Sequence, residues 1–255
     1  MRAENIEEIY ALEVPEGCSV LHETGKNLMK IQSCNVKNCY QINMRGKIII
    51  PGVYLLLLLG FSACEQDRLP IFGQRQVVPR EENGKQINDT VYHTIAPFTF
   101  TDQDGKTITN ETFNGKVYVA DFFFTSCRTI CPIMKTQMLR VYQEVQNDPE
   151  VLLLSHSIDP EYDTVELLHD FATRLEVKSN KWHFVTGQPK EYVFDLAQKS
   201  YFATAMEDKS EPDGFIHSGA FLLIDRQGRI RGKYDGTKED DVDRLMKDIK
   251  RLERE

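Results

Sequence analysis

Between residues 93 and 255 the hydrophobic and polar positions change period repeatedly, and each change marks an element. Phe98 and Phe100 alternate with threonines, an Asp102-Gln-Asp-Gly105 turn follows, and Thr107-Ile-Thr resumes the alternation, which predicts a β-hairpin over 98–109. The apolar run at 116–124 reads as the main strand. Ile133, Met134, Met138, Leu139 and Tyr142 then recur at helical spacing, and 151–158 is a second apolar strand. A helix follows, with Asp163 and Glu166 forming a capping-box-like start and Val165, Leu167, Leu168, Phe171 and Leu175 its apolar positions. The pattern continues with a strand at 182–185, a helix near 189–200, and strands at 220–224 and 229–234 joined through Asp225-Arg-Gln-Gly228. A last helix from Thr237 carries Val242, Leu245, Met246, Ile249 and Leu252. Strands alternating with helices, closed by a hairpin and a helix, predict an α/β domain over 93–255 with a mixed central sheet flanked by helices and an extra N-terminal hairpin.

The preceding residues read differently. Met44-Arg-Gly-Lys gives a short basic start, an apolar run extends from Ile48 to Ala63, and the chain turns polar directly after Cys64. This is the pattern of an export signal over 44–63, with Cys64 as the lipid-attachment residue of a lipoprotein; an uncleaved signal anchor is the alternative. Either places the domain on the extracytoplasmic, periplasmic side, held at the membrane. Residues 1–43 show no periodicity and no motif, so Met44 is the expected translation start and 1–43 an upstream extension; Cys18, Cys34 and Cys39 would then lie outside the mature protein. Residues 64–92 are polar, carry Pro70, Gly73, Pro79 and Gly84, and read as a flexible tether.

Composition adds little to the fold but removes some functions. A chain of 255 residues with 41% hydrophobic and 27% charged residues is ordinary for a globular protein. A net charge of −8 without a Lys/Arg block leaves no nucleic-acid footprint.

Candidate chemistry concentrates at the end of the 116–124 strand, where Cys127 and Cys131 stand four residues apart and Pro132 suits the first turn of a helix. A helix N-terminus favours thiolate, the form that binds soft metal ions and attacks disulfides, so the pair serves metal binding or redox exchange equally well. Two buried structural cysteines would also satisfy the spacing.

Three separated motifs narrow the choice. Phe124-Thr-Ser-Cys127-Arg-Thr-Ile-Cys131-Pro132, Asp159-Pro-Glu-Tyr-Asp163-Thr164 and Gly214-Phe-Ile-His217-Ser218, in this order, resemble the Sco/SenC proteins over roughly 95–253. The resemblance implies a thioredoxin-like fold, copper binding by Cys127, Cys131 and His217, and a role in supplying copper to the binuclear centre of cytochrome c oxidase. It also implies partners: the copper-centre subunit of that oxidase, and other copper chaperones or thiol reductants. Asp159 is placed near the site by the same resemblance, although before Pro160 it also suits a turn. The donor chemistry agrees independently, because two thiolates and one imidazole form a soft, low-coordinate site suited to Cu(I), and an added oxygen or nitrogen donor accommodates Cu(II). Three ligands leave the ion open to a partner, whereas a structural zinc site is closed by four. Thioredoxins carry a cis-proline in the loop facing their cysteines; 214–218 has none, and His217 falls where that loop is expected.

Two alternatives remain at this level. A thiol-disulfide oxidoreductase would use Cys127 and Cys131 to reduce a partner's copper-ligand cysteines or to sense redox state. A peroxiredoxin-type peroxidase would need a threonine three residues before the reactive cysteine, where this chain has Phe124. His156, His169 and His183 lack motif support and read as structural, and Met134 and Met138 read as core.

Overall fold

A computed structural model describes residues 68–208, 210–211 and 214–255. The readings made for 1–43, for the 44–63 segment and for Cys64 lie outside the described residues.

The described chain opens with an antiparallel hairpin, β1 (Arg75–Glu82) paired to β2 (Lys85–Tyr92), turning at Asn83 and Gly84. Both turn residues have positive φ, 53° and 72°, the conformation a two-residue hairpin loop demands. Over residues 68–92 this corrects the reading of 64–92 as a flexible tether; 64–67 lie outside the described residues. Most positions of both strands are exposed, so no apolar alternation announces them, and the ladder is built by backbone pairing with a cross-strand ion pair from Arg80 to Asp89 at 3.4 Å. The chain before the hairpin is also ordered onto the domain: Leu69 is buried, and Phe72 N donates to Ile230 O at 2.8 Å.

The remaining strands are β3 (Thr99–Asp102), β4 (Thr107–Thr109), β5 (Val117–Phe123), β6 (Val151–Ser157), β7 (Trp182–Thr186), β8 (Ala205–Glu207), β9 (Phe215–His217), β10 (Ala220–Ile224) and β11 (Ile230–Asp235). Four α-helices accompany them among the described residues, besides a 3-10 turn at Asn110–Phe113: α1 (Cys131–Val145), α2 (Val165–Arg174), α3 (Lys190–Asp195), which runs on into a π-helical turn Leu196–Ser200, and α4 (Glu239–Leu252). The predicted hairpin at 98–109 is β3–β4, in register Phe100 to Ile108, with Asp102 Oδ1 accepting the Asp104 and Lys106 amides across the turn. It joins a seven-stranded sheet of order β11-β10-β5-β6-β7-β3-β4, in which β5, β6 and β7 are parallel and the other pairings antiparallel. The sheet is therefore mixed and the fold thioredoxin-like, as predicted.

Every residue of β5 is buried, which is why its sequence shows no alternation. Met134 and Met138 sit at the core face of α1, 1% and 0% exposed, which settles them as packing residues. Helices α1 and α4 are joined by ion pairs from Arg140 to Asp243 at 2.6 Å and from Lys250 to Glu144. The β5–α1 junction thus lies at the C-terminal edge of the parallel strands, where α/β sheets present their ligands.

Candidate metal centre

The loop between β5 and α1 carries the cysteines. Cys127 N bonds Phe124 O in a tight turn, and Cys131 begins α1 with Pro132 in its first turn, where the missing N–H has no helical partner to lose. His217 arrives from far along the chain, at the last position of β9, whose pairing of Ala205 with His217 fixes its register. Its ring sits edge-on to Phe124, centroids 5.6 Å apart.

The two sulfurs and a His217 ring nitrogen lie within 4.8 Å of one another. Nε2 is 3.2 Å from Cys131 Sγ and 3.8 Å from Cys127 Sγ. Three donors around one ion at about 2.0–2.3 Å would stand about 3.8 Å apart, so the trio fits a single soft cation with little rearrangement. Both cysteines are free and buried, and among the described residues no other cluster of His, Cys, Asp or Glu offers such an arrangement.

The thiols are not equivalent. Cys127 is held down to about 3, first by the hydrogen bond from Cys131 and then by His217 and Thr129, against the opposing cost of burial. Cys131 is pushed up by donating that same hydrogen bond and by its deeper burial. One proton thus serves both sulfurs, with the negative charge on Cys127, the sulfur nearer solvent.

Asp163 is not the helix cap its spacing suggested. Thr164 caps α2, accepting the Leu167 amide on its side chain, while Asp163 turns inward and is fully buried. Its carboxylate accepts from Thr125 N, Thr125 Oγ1 and Ser157 Oγ, tying the start of the cysteine loop to the end of β6. Asp159 lies outside the sulfur–imidazole trio. Its carbonyl accepts the Tyr162 and Asp163 amides, its own amide bonds Ser157 Oγ, and it meets the cysteine loop only through Ser157 and Asp163. Burial and the neighbouring Asp163 raise its carboxyl above the ordinary value.

Two buried charged groups behind the site were missed. Lys135, one turn beyond Cys131, has its ammonium 4.0 Å over the Phe123 ring and near Phe184, Phe171 and Trp182, with no hydrogen-bond partner. Asp121, mid-strand in β5, accepts from Ser155 Oγ through one oxygen and has no partner for the other. The signal was legible: a lone carboxylate in an apolar strand, and a lone lysine on the apolar face of a helix. His156, His169 and His183 lie outside the sulfur–imidazole trio: His156 is stacked on Phe122 at 5.0 Å, His183 bonds Asp102 at 3.1 Å, and His169 lies 3.6 Å from Asp104.

The sequence profile of the SCO1/SenC family matches residues 87–254. The chain belongs to the SCO1/SenC family. Among solved structures, a SCO1/SenC family lipoprotein from Bacillus anthracis shares 30% identity and a TM-score of 0.59, covering 63% of this chain and 95% of that one. BsSco, described with a disulfide switch and as a member of the Sco family of cytochrome c oxidase assembly proteins, shares 33% identity and a TM-score of 0.56, covering 63% and 93%. Copper-bound ScoI of Arabidopsis thaliana shares 26% identity and a TM-score of 0.52, covering 63% and 98%. The Sco family to which this chain belongs thus comprises copper-binding proteins of cytochrome c oxidase assembly.

Proposed function

We propose that this Sco protein is an exported, membrane-tethered chaperone that binds copper and delivers it to the binuclear copper centre of cytochrome c oxidase. The observation that carries this reading is the convergence of Cys127, Cys131 and His217 on one point. Copper is the cargo here. Two sulfurs and one imidazole suit Cu(I), and a fourth donor supplied by solvent or by a partner accommodates Cu(II). Loading displaces the proton shared by the sulfurs, so uptake is coupled to proton release. Burial of the trio keeps solvent ligands scarce, and the three-donor set leaves a coordination position through which an acceptor's soft ligands can take the ion. The anchor rests on the 44–63 apolar segment and Cys64, with the lipoprotein from Bacillus anthracis as a related precedent.

A second reading has its own observation. Cys127 as thiolate beside a protonated Cys131 is the arrangement of an attacking and a resolving thiol, and reduction of a partner's copper-ligand cysteines would prepare that site for metal. Phe124 is buried against His217 at the position where a peroxidase would place its threonine, which disfavours that third alternative.

Titration of the protein with Cu(I) against a competing chelator tests the first reading. Tight one-to-one binding lost in both Cys127→Ser and His217→Ala is expected. Binding indifferent to His217, with disulfide reductase activity retained, would replace the chaperone by a reductase.

A further inference from the structure

A groove opens from the metal centre along the space between α1 and α2. Cys127 and Cys131 lie at one end of it, beside Phe124 and Pro132, and Leu139, Phe171 and Leu175 wall it farther out. Its volume is about 310 Å³, room for a bulky side chain and the backbone that carries it. His217 does not border it, so the groove reaches the sulfurs from a side away from the imidazole. Leu139, Phe171 and Leu175 pack on the core yet are only partly buried, so each keeps apolar surface turned to solvent.

The chain carries a net charge of −8, but this groove has the opposite sign. Among the described residues that line it, Lys135 is the charged one, and its unpartnered ammonium lies 4.0 Å over the ring of Phe123, another lining residue. Asp121 and Asp163, the carboxylates that act on this ammonium, are buried and do not line the groove. At the rim the exposed Arg174 holds its guanidinium 6.0 Å over the Phe171 ring. The α2 carboxylates Glu166 and Asp170 border a separate hollow with Asp104 and His169. An apolar floor with cations and no carboxylate along it is complementary to an apolar, acidic partner.

We infer that this groove docks the metal-receiving segment of the acceptor protein, an extended peptide with a bulky apolar side chain three or four residues from its soft ligand and an acidic residue next to that side chain. The inference rests on the reading of this protein as a copper donor. The spacing comes from α1: Leu139 lies about 12 Å along the helix axis from Cys131, which is three or four residues of extended chain. With a soft ligand over the sulfurs, the apolar side chain then meets Leu139, Phe171 and Leu175, and the carboxylate falls beside Arg174. Burying that side chain is worth about tenfold in affinity, and the exposed ion pair about threefold. Docking in this way holds the acceptor's ligand at the ion's open coordination position and raises its local concentration there.

The test uses the full chain in detergent and a synthetic peptide, Ser-Gly-Gly-X-Glu-Glu, in which X is photoreactive benzoylphenylalanine and serine replaces the soft ligand, so that no metal takes part. Cross-links are expected on Leu139, Phe171 or Leu175. Ser-Gly-Gly-Phe-Glu-Glu should compete about tenfold better than the peptide with serine in place of phenylalanine, and about threefold better than the one with lysines in place of the glutamates. Arg174→Glu is expected to abolish the charge preference while Cu(I) binding stays unchanged. Cross-links elsewhere, no cross-links, or equal competition by the three peptides overturns the inference. A dimer of the chain that excludes the peptide also overturns it and assigns the groove to a second copy. Delivery is read as transfer from Cu(I)-loaded protein: Cys-Gly-Gly-Phe-Glu-Glu should take copper about tenfold faster than Cys-Gly-Gly-Ser-Glu-Glu, and equal rates would show that the groove takes no part in it. A chain that cross-links as expected but holds no Cu(I) overturns the donor reading while establishing the groove as a peptide site.

Discussion

Replacing Lys135 by methionine removes a buried charge behind the thiols without removing a hydrogen bond, because the ammonium has no partner. Four helical residues carry it about 6 Å along the axis from Cys131, and its stem places the nitrogen on the order of 8 Å from the sulfur pair, which shares one proton and one negative charge. At an effective dielectric of about 20, a unit cation at that distance stabilises a thiolate by about 2 kcal/mol. The charge is present in the reduced pair and absent in the disulfide. For a two-electron couple, 2 kcal/mol corresponds to about 40 mV, so Lys135→Met is expected to shift the Cys127–Cys131 potential about 40 mV more negative. Asp121 has the opposite charge in the same environment, and Asp121→Asn is expected to move the potential the other way. The assay is redox equilibration against dithiothreitol, read by thiol alkylation and mass; fluorescence of the single tryptophan is unsuitable, since Trp182 itself faces the ammonium. Burial pushes the lysine below its ordinary value while Asp121, Cys131 and Asp163 pull it back. Shifts of the same sign in both variants, or below about 10 mV for Lys135→Met, would refute the argument by showing that no ammonium acts on the sulfur.

Other consequences follow from the same geometry. Alkylation of Cys127 by iodoacetamide should stay nearly constant from pH 8 to pH 5, because its thiolate persists down to about 3, whereas an ordinary thiol would slow about tenfold per unit; a tenfold loss per unit would show that the proton does not reside on Cys131. His156, held neutral by burial down to about 3, has a folded value below its unfolded one, so its contribution is complete above about 6.5 and is lost as pH falls toward 3. His156→Phe should flatten urea stability across that window, where the wild type loses as much as about 4 kcal/mol; an unchanged slope would assign acid sensitivity elsewhere. Asp163→Ala strips acceptors from Thr125 and Ser157 and should cost about 3 kcal/mol in urea unfolding, with weakened copper retention. A loss under 1 kcal/mol would mean that Asp163 does not organise the cysteine loop.

How much was legible depends on where each interaction lies along the chain. Long apolar runs such as β5 and β6, and the three- and four-residue recurrences of α1, α2 and α4, record local periodicity, so composition and spacing alone place them to within a residue or two. The cysteine pair was visible for the same reason, being four residues apart at a strand-to-helix junction. The nearly continuous apolar run of β6 also determined that it would be buried and central. His217 is different: it stands 86 residues beyond Cys131, on a three-residue strand too short to show any period, and only the motif resemblance marked it. Its place beside the sulfurs follows from the pairing of β9 with β8. Asp163 read as a cap because capping is local, whereas its actual partners, Thr125 and Ser157, come from two other elements. The hairpin over 75–92 and the ordered chain at Leu69 are held by a backbone ladder and by Arg231, 162 residues from Leu69, interactions that leave no periodic trace. Sequence by itself determined the elements and the chemistry available at one loop, because those depend on neighbours in the chain. Tertiary structure alone decided which distant side chains meet, because that depends on register and on which polar groups must share a partner once water is excluded.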